Sequence, residues 1–380
     1  MNVPLHIIHV YKTYYSASFG GAEQFIRQLG MRHVGMGHKV SVLTLCRHIA
    51  APKCEQHDGI TVWYYPLTME IASNGMSLSA MRHYRALAAT ADILHYHFPW
   101  PSGDILHQLA PKRVPALVTY HADIVRQKWL KRVYAPLMHV FLGQMRAIVA
   151  TSPNYLATSP VLQHYLAKTE VIPIGLQRSS YPVPAPEQIA GWREKYGDRF
   201  FLFVGALRYY KDLHTLIEAG RLTGLPVVIA GAGGEEETLR QAAQGIPNIH
   251  FTGLVNDEDK MALLQLCCGF VFPSHVRSEA FGISLLEAAM VGKPLISCEI
   301  GSGMSYINRD GETGLVVAPQ DAAAFGAAMQ TIAEDSALEK RLGAAARARF
   351  EALFTADKMA MDYAALYKRL QYAAPKLIPE

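Results

Sequence analysis

Long apolar runs are what this sequence lacks first. No stretch of 18 consecutive apolar residues occurs, so no helix that crosses a membrane is expected. Cysteine is scarce: there are five, an odd number, and none stand in Cys-x-x-Cys spacing. That excludes a disulfide framework and a zinc-finger pattern and points to reduced thiols in a cytosolic protein. The opening Met1-Asn-Val-Pro-Leu-His-Ile has no basic segment running into an apolar one, so a secretory leader is not expected. Repeats and low-complexity tracts are missing too. A strong charge excess is also absent, the net charge being +4, and no nucleic-acid partner is expected. What is present is a chain of 380 residues, 50% hydrophobic and 18% charged. That is ample material for two or three packed domains.

The charge is unevenly placed. Residues 1–175 carry 16 Lys/Arg against 8 Asp/Glu, while the remainder carries 20 against 24. A basic first half points weakly to an anionic partner there. Short β-branched runs alternate with helical periodicity, the rhythm of βαβ units around parallel sheets. Strands are expected at 5–10, 40–45, 60–65, 93–96, 116–120 and 148–151, with a helix from Ala22. A second series follows at 200–204, 227–230, 249–251, 270–272 and 295–297. Helices lie between these at 213–219, 236–243, 258–267 and 283–291. Two such series predict two Rossmann-like domains with a cleft between them, joined near residues 174–186, where Pro and Gly cluster. Ligands of such sheets bind beyond the carboxyl ends of the strands, so chemistry is sought in the loops that follow them.

One such loop leads into residues 278–287, Ser-Glu-Ala-Phe-Gly-Ile-Ser-Leu-Leu-Glu. Gly282 lets the backbone turn and a helix begins. Its free N–H groups and positive dipole end make an anion site. Glu279 stands just before the helix and Glu287 about one turn inside it, so both carboxylates can flank a bound anion. Carboxylates accept from paired sugar hydroxyls, and phosphate with hydroxyls on either side describes a nucleotide-sugar. The plainer reading makes Glu279 a capping acid and Glu287 a solvated helix residue. Asp257-Glu-Asp259 has the D-x-D form of some metal-dependent enzymes but precedes a helix and reads as capping acids. Gly231-Ala-Gly-Gly234 lacks full dinucleotide-binding spacing. His95, His97 and His121 have apolar companions, and no metal is expected.

Glu279-x7-Glu287 resembles the E-x7-E motif of retaining family-4 glycosyltransferases with the GT-B fold. Four further stretches resemble that family in order: Gly20-Gly21-Ala-Glu23, Tyr120-His121-Ala-Asp123, Phe203-Val-Gly205-Ala-Leu-Arg208-Tyr-Tyr-Lys211 and Asn308-x-Asp-Gly311-x-Thr-Gly314. The resemblance implies an α/β fold of two Rossmann-like domains facing across a cleft. Residues 1–175, joined by a C-terminal helix at 356–380, would form the acceptor domain and 176–355 the donor domain. Glu279 would contact donor hexose hydroxyls and Glu287 the ribose. Backbone around Phe281, Gly282 and Ile283 would hold phosphate or sugar. Arg208 and Lys211 would neutralise the diphosphate, His121 would sit near the transferred sugar, and backbone around Val255 would face the base. Gly20 and Gly21 would let the first-domain backbone approach the phosphates. Many members carry Arg directly after the glycine of the basic loop; here that position is Ala206, and Arg208, two residues on, shares its side of an extended chain. Plain surface charge for Arg208 and Lys211, and a structural role for His121, stay open.

The subgroup it most resembles is the bacterial O-polysaccharide mannosyltransferases that use GDP-mannose. This rests on Arg277-Ser-Glu-Ala-Phe-Gly-Ile, 295–303 and 120–128. It implies transfer of mannose, without a cofactor or metal, onto an undecaprenyl-diphosphate-linked saccharide. Another donor (GDP-rhamnose or a UDP-hexose), a non-hydrolysing sugar-nucleotide epimerase and a binding module without transfer remain alternatives. Arg126, Lys128, Lys131 and Arg132, interleaved with Trp129 and Leu130, form either an acceptor-recruiting patch on the inner membrane surface or a solvated helix face. The expected location is the cytoplasm, peripheral to that membrane.

Overall fold

The computed structural model describes residues 3–15, 20–124 and 128–372, of which 128–131 as backbone only. The chain divides into two compact units, Met1–Thr151 with Ser159–Gly175 and Ala356–Glu380, and Ser152–Thr158 with Leu176–Thr355. The break between Gly175 and Leu176 falls inside the Pro/Gly-rich stretch. One segment differs from the sequence-based boundary. Residues 152–158 belong to the second unit, because Thr158 Oγ1 donates to the Gly301 carbonyl at 2.6 Å and Arg277 donates to the Thr158 carbonyl at 2.7 Å.

The first unit is built on β1 (His6–Val10), β2 (Lys39–Cys46), β3 (Lys53–His57), β4 (Ile60–Pro66), a small hairpin of β5 (Met69–Ile71) and β6 (Asn74–Met76), β7 (Ile93–Phe98), β8 (Ala116–Tyr120), β9 (Ala147–Ala150) and β10 (Thr169–Val171). Its main sheet runs β10-β9-β8-β7-β1-β2-β4-β3 and is parallel except for β3. Every residue of β7, β8 and β9 is buried, as expected for strands covered on both faces. β3 pairs antiparallel to β4 through a turn at Asp58 and Gly59, both with positive φ. The Asp-Gly pair suits that geometry. The helix Gly21–Gly35 and the C-terminal helix Ala356–Tyr372 pack together on the sheet; Arg32 pairs with Asp357 at 2.8 Å.

The second unit holds β11 (Phe201–Val204), β12 (Val227–Ala230), β13 (Ile249–Gly253), β14 (Gly269–Phe272), β15 (Leu295–Cys298) and β16 (Gly314–Val317), all parallel in the order β13-β12-β11-β14-β15-β16. The order reverses between β11 and β14, the switch point at which doubly wound sheets leave a crevice. β16 was not expected; it opens in the Asn308–Gly314 turn. Asn308 there donates to Ser297 Oγ at 2.9 Å and the Leu315 carbonyl at 3.0 Å and accepts from Thr313 Oγ1 at 3.1 Å. That motif is scaffolding.

Beyond the strand ends the loops stay laddered. Gly205 donates to the Ala230 carbonyl and Leu207 to that of Ala232, both at 3.0 Å, and Gly231 donates to the Gly253 carbonyl at 2.8 Å. A Cβ on Gly231 would lie 1.9 Å from the Gly205 carbonyl oxygen, and one on Gly233 would lie 2.3 Å from that of Leu207. The Gly231–Gly234 run thus serves close backbone approach of the basic loop, which accounts for its departure from dinucleotide-binding spacing. Gly231→Ala should cost on the order of 3 kcal/mol of stability through clash and backbone strain, measured by denaturant unfolding. A cost under about 1 kcal/mol would mean that the loops do not meet this closely.

Candidate active site

The two loops that leave the switch point of the second unit carry the charged residues. Past β11, Leu207 is buried while Ala206 and Arg208 are exposed, so the extended backbone turns both toward one side. The Arg208 side chain makes no ion pair or hydrogen bond among the described residues. The chain then enters a short turn, Tyr209–Lys211, which buries Lys211. Its ammonium lies 4.1 Å above the Phe272 ring of β14 and is bonded to a Glu279 carboxylate oxygen. Both side chains are nearly buried, so this is a desolvated pair in which each charge depends on the other. The same carboxylate, after burial itself, helps push the Tyr210 hydroxyl up to about 12.

The helix Ile283–Val291 follows. Gly282 caps it at φ +96, in the left-handed region that favours glycine, with no side-chain cap. No acid stands in the first turn, so its leading N–H groups are available to an anion. The Phe281 side chain is core, packed edge-on to Phe354 with centroids 6.1 Å apart; what it offers a ligand is backbone. Glu287 corrects the reading of a solvated helix residue: it is 4% exposed. Its Oε1 accepts from Tyr181 at 2.9 Å and from Lys260 at 2.8 Å. Lys260 also reaches Asp257 at 2.8 Å. Burial works to lower the Lys260 pKa, but Glu287 and Asp257 outweigh it and hold it above its usual range. The Asp257–Asp259 run forms the first turn of the helix Asp257–Leu266, behind the Asn256 cap, and Asp259 accepts from Trp192 at 2.8 Å. These are structural duties. Val255 is half-buried just before that cap.

In the first unit Gly20 caps the helix Gly21–Gly35 at an ordinary φ of −78. The space beside it holds the Glu23 carboxylate, 2.5 Å from where a Cβ would stand. An acid, rather than open room for a phosphate, therefore lies against Gly20. His121 follows β8 and continues its ladder, donating to the Phe98 carbonyl at 3.0 Å. It ends a line of rings: His9 Nδ1 lies 3.0 Å from His97 Nε2, and His97 Nδ1 lies 3.0 Å from His121 Nε2. Nitrogens of His9, His95 and His97 fall within 4.8 Å of one another. Those of His95 are engaged by Tyr367 and Thr119, each at 2.7 Å, and those of His97 by its two histidine neighbours, so little of this donor set is free for an ion. Of the basic patch, Arg126 lies outside the described residues, Lys128 and Lys131 fall on the helix Lys128–Gln144, and Arg132 is exposed.

Two family models match: "Glycosyltransferase Family 4" over residues 19–178 and "Glycosyl transferases group 1" over residues 185–349. D-rhamnosyltransferase WbpZ of Pseudomonas aeruginosa is 51% identical over 354 residues, 93% of each chain. The chain belongs to the family-4 glycosyltransferases. O-antigen chain mannosyltransferase C of Escherichia coli is 46% identical to this glycosyltransferase over 370 residues, 96% of this chain and 99% of the relative. Among solved structures, sucrose-phosphate synthase of Thermosynechococcus elongatus superposes with a TM-score of 0.77 at 20% identity, over 97% of this chain and 100% of the other. HepE of Anabaena, in complex with UDP and glucose, gives 0.75 at 17% over 96% and 99%. The glycosyltransferase has the GT-B fold, two Rossmann-like domains.

Tyr181, Lys260 and His9 were not foreseen. Tyr181 and Lys260 stand 106 and 27 positions from Glu287, a separation no local pattern reports, and His9 reads as one polar residue in an apolar strand. The histidines have a consequence for pH. Burial pushes His9 and His121 down to about 3, His33 and His107 to about 4, and His95 and His97 well below the ordinary 6.5. Folded values below the unfolded one mean that the unfolded chain binds protons first as pH falls. The stability is fully present above 6.5 and is lost from there toward about 3–4. Each histidine contributes a slope of up to ~1.4 kcal/mol per pH unit. Calorimetric melting should therefore drop steeply between about pH 6.5 and 5; a melting temperature unchanged to that point would show that these imidazoles are not held neutral.

Proposed function

We propose that this glycosyltransferase is a retaining hexosyltransferase that moves mannose from GDP-mannose onto a lipid-linked saccharide during O-antigen assembly. The observation that supports it most is the Lys211–Glu279 pair beside the open N-terminus of the helix Ile283–Val291, at the switch point of the second sheet. In this reading the diphosphate lies at the helix start, where Lys211 and Arg208 offset the charge that develops as it departs. Glu279 meets the hexose hydroxyls, Glu287 the ribose, and backbone near Val255 the base. His121 contacts the transferred sugar. Neither the sequence motifs nor the site geometry singles out a nucleophile, and Glu279 is ion-paired with Lys211. We therefore assign front-face displacement: the departing phosphate oxygen, held by the two cations, takes the proton of the incoming hydroxyl. With those cations in place no metal ion is needed, and turnover should survive EDTA.

The donor rests on the relatives. One is named a mannosyltransferase and one a D-rhamnosyltransferase, and D-rhamnose is mannose without the hydroxyl on C6, so GDP-rhamnose is the nearest alternative. The acceptor is proposed to be undecaprenyl-diphosphate-linked, with the enzyme peripheral to the inner membrane face. Among the described residues no helix is long and apolar enough to cross a membrane. Exposed Arg132, Val133 and Val140 on the helix Lys128–Gln144 suit a surface contact with anionic lipid.

Nucleoside diphosphate release from GDP-mannose, GDP-rhamnose and UDP-hexoses, with and without lipid-linked acceptor, tests this. GDP release from GDP-mannose that rises with acceptor is expected. Epimerised donor without acceptor dependence would instead establish an epimerase, and binding without turnover across the panel a binding module. Lys211→Ala should lower kcat by roughly 100-fold or more with the fold intact by circular dichroism; full activity would remove Lys211 from the mechanism.

A further inference from the structure

Glu287 is a carboxylate in an almost dry place, and the way it is held distinguishes its two oxygens. Tyr181 and Lys260 both bond to Oε1, at 2.9 and 2.8 Å. Oε2 has no hydrogen-bond partner among the described residues and is not sealed from solvent. The partners are themselves fixed. Lys260 spans Glu287 and Asp257 and lies 5.1 Å above the Tyr181 ring, and the Tyr181 ring is buried. An ion held by two charges and a ring, from the helix Asp257–Leu266 and from the segment before residue 186, has little freedom to turn. The titratable groups that face Glu287 are thus Tyr181 and Lys260, with Asp257 behind Lys260.

We infer that Lys260 and Tyr181 are positioning residues for donor binding: they occupy Oε1 of Glu287, fix the plane of the carboxylate, and so present Oε2 to the ribose hydroxyls of the nucleotide. The inference rests on the reading of Glu287 as the ribose contact. Its physical content is a division of labour. A buried carboxylate without a cation takes up a proton as its pKa climbs, and a protonated, freely turning carboxyl is a poor acceptor for a diol. Lys260 stays charged because the two carboxylates hold its proton. Tyr181 adds a neutral donor that fixes the plane of the carboxylate without adding charge.

The test is calorimetric binding of GDP and of 2′,3′-dideoxy-GDP, with UDP and its dideoxy analogue in parallel, to wild type, Lys260→Met, Lys260→Arg and Tyr181→Phe between pH 5.5 and 9. Wild type should prefer the nucleotide bearing ribose hydroxyls by about tenfold, with little change across that range. In Lys260→Met the preference should weaken toward the acid end of the range and return as pH rises, because a buried carboxylate without its cation takes up a proton more readily. Lys260→Arg should restore the wild-type profile. Tyr181→Phe should weaken the preference without adding pH dependence, and it keeps the question answerable if Lys260→Met does not fold. A wild type that fails to discriminate the two nucleotides would defeat the ribose reading itself. Discrimination in wild type that persists unchanged in Lys260→Met and Tyr181→Phe would leave that reading standing and overturn the positioning role.

Discussion

A carboxylate taken out of water needs a cation within reach, and the second unit meets that need twice. Glu279 has Lys211 and Glu287 has Lys260, and in each case the two partners come from different loops or helices. Removing one partner would leave the other stranded, at a cost of about 3–5 kcal/mol in comparable buried pairs. The pairs therefore tie strand-end elements of the second unit to one another. Within the pair the charges cancel, so Lys211 is not by itself a general anion trap. Lys211 alone would attract any phosphate; bonded to Glu279, it yields its charge best to a ligand that also satisfies the carboxylate, as a sugar hydroxyl can.

Such a site needs backbones closer than side chains allow. The loops after β11, β12 and β13 are stitched by carbonyl-to-amide bonds continued past the strands, and glycines at 231 and 233 are what lets them meet. A different demand arises at Gly282, where a left-handed turn starts the helix that carries Glu287. Glycine supplies both requirements at an entropic cost in the unfolded chain, repaid only where the backbone itself contacts a neighbour or a ligand. The loops after β12 and β14 are such places.

Much of this was legible in the residues. The apolar runs Ala116–Tyr120 and Val227–Ala230 and the helix Ile283–Val291 were read with the bounds they have, because buried strands and a glycine-bounded helix announce themselves by composition. Lys53–His57 was not read. It is an edge strand whose five residues include no large apolar side chain, so no face of it reports burial. The sequence motif around Glu279 and Glu287 showed where the acids are but not their environment. Spacing placed Glu287 near an anion and left solvation open, whereas its burial follows from Tyr181 and Lys260, residues brought in by the fold. Gly20 shows the converse. A glycine after the first strand suggests open space, and the structure puts the Glu23 carboxylate in it.

The two units handle buried polarity by opposite means, and this bears on what each can contribute to catalysis. The second sets its buried carboxylates against lysines. The first buries imidazoles in a connected line and keeps them neutral, with Phe25 packed edge-on against His97 and His121 at centroid distances of 5.7 and 5.1 Å. A neutral imidazole at His121 can donate or accept one hydrogen bond but adds no charge, and burial makes it a weak base. It is suited to orienting a sugar hydroxyl and ill suited to removing a proton from an acceptor. Under the proposed mechanism, proton removal falls to a group whose basicity grows during the reaction, as that of a departing diphosphate does.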